Sequence, residues 1–268
     1  MSTRLKDKVI LVTASTRGIG YAIAETCARE GAIIYMGARN SGLAEEKADA
    51  LNAQGFRVHF AYYDASKEET FQSVVEDVVN AEGRIDVLVN NFGTSDPRKD
   101  LDIAHTDPQV FLDTVSINLK SVFITSQAAI RHMEKAGGGS IINISSVGGQ
   151  VPDISQIGYG TSKGAINYLT KLIAVQEARH GIRCNAVMPG MTATDAVKDK
   201  LTDHFKQVFL KNTPIPRMGL PEEIAGAVVY FASDDAAFTT GQIMAVSGGF
   251  GLATPVFGDL AEMANARG

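Results

Sequence analysis

Residues 9–20 read VILVTASTRGIG, and the two halves of this stretch ask for different structures. Val9–Val12 is apolar at every position, which suits a strand covered on both faces, because successive side chains point to opposite sides of a sheet. Thr13–Gly20 then brings small residues and two glycines, Gly18 and Gly20, where a strand turns into a helix and a phosphate-bearing ligand can come close to the backbone. The unpaired N–H groups and the dipole at the start of that helix favour negative charge. The spacing is not GxGxxG, and a glycine turn is also a common structural joint, so the stretch alone leaves both readings open. Its candidate cofactor contacts are Ser15, Thr16, Arg17 and Ile19.

Outward from this unit the same alternation repeats. Short apolar runs at 8–13, 32–36, 57–62, 86–90, 140–144, 183–187 and 242–246 predict seven strands. Helical periodicity falls at 19–30, 42–53, 67–82, 108–135, 158–179, 195–210 and 221–232, with Pro108 and Pro221 placed as first-turn prolines. Strand–helix alternation of this kind predicts an α/β class: a doubly wound Rossmann fold, one domain over 1–268 with a seven-stranded parallel sheet.

The chain has 268 residues, 45% hydrophobic and 21% charged, enough to bury a sizeable core. A net charge of −5 without a polybasic run disfavours nucleic acid or an anionic membrane as partner. The N-terminus lacks the apolar h-region of a signal peptide, and no stretch is long enough to span a bilayer. Cys27 and Cys184 sit in apolar segments without metal-ligand spacing, so both read as core thiols of a cytoplasmic protein. The histidines at 59, 105, 132, 180 and 204 form no ligand-like pair, and no catalytic metal is expected.

The second predicted strand ends GAIIYMGARN, residues 31–40. Where NAD-binding folds place a ribose-binding carboxylate, this chain has Ala38 followed by Arg39 and Asn40. Lack of a carboxylate, with Arg39 and Arg17 as cations, accommodates a 2′-phosphate and favours NADP over NAD. Further along, Ser146, Tyr159 and Lys163 form S-x12-Y-x3-K. Tyr159 and Lys163 share a helix face. Bringing a phenol from pH ~10 to about 7 takes roughly 4 kcal/mol, much of which a nearby cation supplies.

With TASTRGIG, Asp64, NNFG at 90–93, Asn118, Ser146, Tyr159-GTS-Lys163 and PGMTAT at 189–194 in this order, the chain resembles the short-chain dehydrogenase/reductase family along nearly its whole length. It departs from the family pattern at Ala14, where the first glycine is usual, and at Phe92, where alanine is usual. The resemblance implies that Tyr159 is the general acid or base, that Ser146 rather than Ser145 holds the substrate oxygen, and that Lys163 acidifies Tyr159 and binds the nicotinamide ribose. Asn118 would maintain a water-linked proton path. It further implies cofactor contacts from Asp64, Ala65, Asn90, Gly93, Pro189, Thr192 and Thr194; Asp64 is open to a helix-capping role as well.

Within the family, VTASTRGIG, EGRIDVLVNNFGT, GGGSIINISSVGG, GIRCNAVMPG and GGFGLATP are most similar to the branch of NADP-dependent bacterial 7α-hydroxysteroid dehydrogenases. That implies a bile acid or steroid as the small-molecule substrate. A 3-oxoacyl carrier-protein reductase or another NADP-dependent carbonyl or polyol reductase is the alternative, with Arg131, Arg179 and Arg183 available to an acidic carrier. An apolar stripe of Val197, Leu201, Phe205, Val208 and Phe209 suits a helix covering a flat apolar substrate or packing on the protein's own core. Residues 250–268 extend past Gly248-Gly249 as a C-terminal segment with three open roles: docking on a neighbouring subunit, closing the cleft, or forming a partly ordered end. Helices 108–135 and 158–179 are apolar on more than one face, and in the family they form a dimer interface, so a homo-oligomer is expected, dimer or tetramer.

Overall fold

A computed structural model describes residues 3–195, 197, 202–254 and 256–266. Strands β1 (Val9–Thr13), β2 (Ile33–Ala38), β3 (Arg57–Tyr62), β4 (Val87–Asn90), β5 (Gly139–Ile144), β6 (Ile182–Pro189) and β7 (Ile243–Val246) form one sheet in the order β3-β2-β1-β4-β5-β6-β7. Every pairing is parallel. Helices α1 (Gly18–Arg29), α2 (Ser41–Asn52), α3 (Glu69–Glu82), α4 (Pro108–Ala136), α5 (Ile157–Glu177), α6 (Asp203–Lys211), α7 (Pro221–Ala232) and α8 (Phe257–Asn265) complete it among the described residues. The first seven correspond to the expected helices. The expectation over 195–210 is met from Asp203 onward as α6, while residues 196 and 198–201 lie outside the described residues. The periodicity reading assigned no helix to the segment that forms α8.

Both faces of the sheet are covered, which is why β1 is buried at all five positions. Ile10 and Val12 join residues of α1, α2 and α7 in one core, whereas Val9 and Leu11 join α3, α4 and α5 in the other. Complete burial of a side chain such as Ile10 or Leu11 contributes about 1.5–3 kcal/mol. Cys27 and Cys184 are wholly enclosed, and burial pushes both thiols up, Cys27 to about 12. α4 starts where Asp107 Oδ1 accepts from the Gln109 N–H at 2.7 Å, with Pro108 in the first turn.

Strand order reverses between β1 and β4: the chain builds outward to β3 on one side and to β7 on the other. In open α/β sheets the crevice beyond the strand C-termini at such a switch point receives ligands. The C-terminal ends of β1, β4, β5 and β6 bring Thr13, Asn90, Ile144 and Pro189 to that edge.

Candidate active site

The turn after β1 is held in an unusual conformation by its neighbours. Ala14 has φ +53°, in the left-handed region where glycine is usual. Its carbonyl and that of Thr13 each accept from Asn91 Nδ2 at 3.0 Å, while Thr13 Oγ1 accepts from the N–H groups of Asn91 (2.9 Å) and Phe92 (3.2 Å). The alanine departure from the family pattern therefore leaves the turn intact. A Cβ at Gly20 would lie 2.5 Å from both the Ala14 oxygen and Asn91 Nδ2, so only glycine fits. Asn91, absent from the expected site, is the brace of this turn.

Three features fit a dinucleotide here. Ser15 Oγ is buried without a hydrogen-bond partner, an orphan that a ligand oxygen would satisfy. Arg17, the residue before α1, provides no side-chain cap, leaving the helix N–H groups open. Arg17 and Arg39 are exposed, and among the described residues neither enters an ion pair. Thr16 is partly exposed at the same turn. Ile19 is partly buried, packing against the core. Asn40 caps α2, its Oδ1 accepting from the Leu43 N–H at 3.1 Å.

Other expected contacts divide. Thr194 comes to the glycine turn: its Cγ2 would be 3.2 Å from a Cβ on Gly18. Pro189 ends β6, and Thr192 is buried, its Oγ1 donating to the Gly190 carbonyl at 3.0 Å. Asp64 is committed locally, with Oδ1 accepting from the Ser66 N–H (3.0 Å) and Oγ (2.8 Å); these bonds hold its carboxyl below the usual range. Ala65 packs against the core. The Asn90 side chain is committed: its amide donates to Ser126 Oγ (3.0 Å) and Asn143 Oδ1 (2.9 Å) and its Oδ1 accepts from Thr125 (2.6 Å), so it knits β4, β5 and α4 together and leaves its backbone for a ligand. Phe92 packs into the core against Tyr63, 6.0 Å between ring centroids.

Ser146, Tyr159 and Lys163 meet as the spacing implies. Ser146, just beyond β5, faces the Tyr159 phenol and works against the rise that burial causes in its pKa, and its Oγ accepts from the Gly148 N–H at 3.1 Å. Ser145 faces the other way and donates to the Lys163 carbonyl at 3.2 Å. Lys163 is 2% exposed; its Nζ donates to the Ile144 carbonyl at 2.9 Å and stands 5.5 Å from the Tyr159 ring centroid. A Cβ at Gly93 would be 2.7 Å from that ammonium, so this glycine makes the room for it. Burial pushes the Tyr159 phenol up, opposed only by Ser146, and burial without a carboxylate partner lowers Lys163 to about 8. Asn118 is fully buried, clamping Thr94 through that residue's N–H and carbonyl (both 2.9 Å) and donating to Ser162 Oγ at 3.0 Å. It positions the loop beside Lys163 and makes no contact with the ammonium.

Beside Ser146 a cleft of about 370 Å³ is lined by Val147, Val151, Met188, Met191, Ile215 and Leu252, among others. α6 leaves Phe205 and Val208 about half exposed, so its stripe is not spent on the protein's own core; Leu201 lies outside the described residues. Phe209 stacks on Phe250 at 4.2 Å, and Lys211 bridges Asp259 and Glu262 at 2.9 Å each. The tail thus folds back onto α6, and Phe250 and Leu252 line the cleft. Arg183 is withdrawn from any carrier-docking surface, because its guanidinium donates to the Phe231 and Ser233 carbonyls at 2.8 and 3.3 Å. At the far end of α5, His180 pairs with Glu134 and Glu177, a cluster the sequence spacing gives no sign of.

The family model described as enoyl-(acyl carrier protein) reductase matches residues 13–251. A 7α-hydroxysteroid dehydrogenase of Clostridium sardiniense is 50% identical over 96% of this chain and 98% of its own length. Among solved structures, a 7α-hydroxysteroid dehydrogenase complexed with NADH and 7-oxo glycochenodeoxycholic acid superposes with a TM-score of 0.87 at 31% identity, covering 92% of this chain and 96% of that one. A gluconate 5-dehydrogenase from Burkholderia cenocepacia, in complex with NADP and tartrate, gives 0.88 at 31% identity over 94% and 99%. With a family match across the glycine turn, the Ser146–Tyr159 pair and the cleft, the chain belongs to the short-chain dehydrogenase/reductase family and is an oxidoreductase that uses a nicotinamide cofactor.

Proposed function

We propose that this enzyme is an NADP-dependent 7α-hydroxysteroid dehydrogenase acting on bile acids. The observation that carries the reading is the cleft next to Ser146, whose largely apolar walls include Val147, Val151, Met188, Met191, Ile215 and, from the returning tail, Phe250 and Leu252, with Gln150, Arg217 and Glu223 as its polar members. A rigid apolar body fits such walls, and a single secondary hydroxyl is what the Ser146–Tyr159 pair can address. The 50% identity to the Clostridium sardiniense enzyme supports the same substrate class. NADP is favoured by Arg39 and Arg17, which are exposed with no carboxylate at position 38.

When bound, the nicotinamide exchanges a hydride with the carbinol carbon. Ser146 Oγ donates to the substrate oxygen and fixes it against Tyr159. Tyr159 exchanges the proton at that oxygen: its phenol protonates a ketone during reduction, and its phenolate takes the hydroxyl proton during oxidation. Lys163, charged and enclosed, holds a positive potential over the tyrosine ring and presents its remaining N–H groups to the cofactor's ribose. Because burial raises the Tyr159 pKa, the protonated form suited to reduction dominates near neutrality. Oxidation should therefore accelerate as pH rises while ketone reduction slows.

The test is a matched set of substrates followed by NADPH absorbance. Chenodeoxycholate, with its 7α-hydroxyl, is expected to be oxidised, whereas its 7β epimer and deoxycholate, which lacks a 7-hydroxyl, are not. Comparable turnover of deoxycholate refutes the position assignment. Inactivity on every bile acid, with efficient reduction of an acetoacetyl thioester, moves the enzyme to carrier-protein reduction.

A further inference from the structure

We propose that Asp100 is the positioning residue for Tyr159, holding the first turn of α5 where the phenol meets Ser146; the proposal rests on Tyr159 being the proton-transfer group. By its own sequence α5 begins poorly. Gln156, at its N-terminus, has φ +58° and no side chain of the helix caps it. A helix start leaves its first N–H groups without partners, and here four in succession are taken by one remote strap. The Gln156 N–H donates to the Asp100 carbonyl at 3.1 Å and that of Ile157 to the Leu101 carbonyl at 3.3 Å. The Gly158 and Tyr159 N–H groups donate to Asp100 Oδ1 (2.8 Å) and Oδ2 (2.9 Å). Ser95 Oγ adds a third bond to the carboxylate, at 3.0 Å to Oδ2.

Asp100 is completely buried, and no part of the proton transfer uses it. A carboxylate enclosed at a helix N-terminus is stabilised by the dipole and by the N–H groups aimed at it, and it holds them in return. The other end of the strap is fixed as firmly. Gly93 abuts the Lys163 ammonium, and Thr94 is clamped by Asn118, which also holds Ser162. The strap from Gly93 to Leu101 therefore grips α5 at both reactive residues, and Asp100 is the grip at Tyr159. Misplacing a reacting group by about 1 Å can cost on the order of a hundredfold in rate.

Asp100→Asn keeps the shape but turns an NH₂ toward one of the two backbone N–H groups. The expected result is a kcat lower by about tenfold or more, with the Kd for cofactor within about twofold, since Lys163 is held separately through Ile144. An unchanged kcat per folded molecule, counted by cofactor binding, overturns the proposal. The second readout is coupling: in a Ser146→Ala background Asp100→Asn should cost less than about twofold more, because the alignment it protects is already lost. Equal losses in both backgrounds overturn it as well. Should Asp100→Asn not fold, Ser95→Ala removes one donor to the carboxylate and is expected to lower kcat about threefold with the same coupling; unchanged kcat there again overturns it. Tyr159→Phe separates the two levels. If that variant stays active, the proton-transfer assignment fails; if it is inactive while Asp100→Asn is fully active, only the positioning role fails.

Discussion

Lys163 shows what function costs at a single residue. Its ammonium is enclosed with one carbonyl partner, and burial lowers it to about 8 from an ordinary 10.5. A folded-state pKa below the unfolded one means the folded protein releases its proton first. Stability should then rise between pH 8 and 10.5, by about 3 kcal/mol for this group. Lys163→Met removes the buried charge and should be inactive yet more stable at pH 7 by about 1–3 kcal/mol, without the alkaline gain. Urea denaturation of both proteins at pH 7 and 9.5 checks this; parallel curves would refute it. Arg39 belongs to the same scale. A hydrogen bond to a charged group is worth about 1.5–3 kcal/mol, so Arg39→Ala should weaken NADP roughly tenfold or more and leave NAD unchanged. Equal weakening of both in calorimetric titrations places Arg39 away from the 2′-phosphate.

At the scale of elements, the β1–α1 joint is strained at one residue and tolerated because its surroundings fix it. An alanine in the left-handed region costs about 1–2 kcal/mol, and Ala14 is held there by the bonds that Asn91 makes to the carbonyls on either side of its amide. Glycine relieves the strain but loosens the unfolded chain by about 0.4–1 kcal/mol. Ala14→Gly should therefore stabilise by up to about 1 kcal/mol while cofactor affinity stays within about twofold. A loss of stability on denaturation would show that the alanine methyl makes contacts worth more than the strain. The tail on α6 is the converse case: the Phe209–Phe250 stack ties the segment after β7 to α6, and the Lys211 bridges to Asp259 and Glu262 tie α8 to it. Surface ion pairs add little, about 0–1 kcal/mol, so the aromatic stack is the main tie of the tail to α6.

For the whole molecule, the exposed outer stripes of α4 and α5 remain to be covered. Leu112 and Phe123 on α4, and Tyr168, Leu172 and Val175 on α5, are between 38% and 81% exposed. Contiguous apolar surface of this kind marks an association site, and the simplest occupant is a second copy related by a two-fold axis. Light scattering is expected to give a dimer or a tetramer, and Tyr168→Glu with Val175→Glu to reduce the assembly. A wild-type monomer at micromolar concentration refutes this. No helix of the described residues is long and apolar enough to cross a membrane.

The seven strands were readable from the chain because burial on both faces writes an unbroken apolar run, such as VILV, and long amphipathic helices write a period. The family motifs likewise located Ser146, Tyr159 and Lys163, since their spacing is local to one strand end and one helix. What the sequence left undecided depends on groups that meet from distant positions. Asn90 and Asn91 are neighbours in NNFG, yet one side chain binds Asn143 and the other the β1 turn, a difference set by which sheet face each meets. Burial of the Tyr159 phenol raises its proton affinity, and depth of burial is not written in a four-residue spacing. Asp100 lies in a loop with no motif, 59 residues before the tyrosine whose N–H it accepts. Only the tertiary structure closes that distance, because a helix that cannot cap itself must be capped by whatever the fold brings to its end.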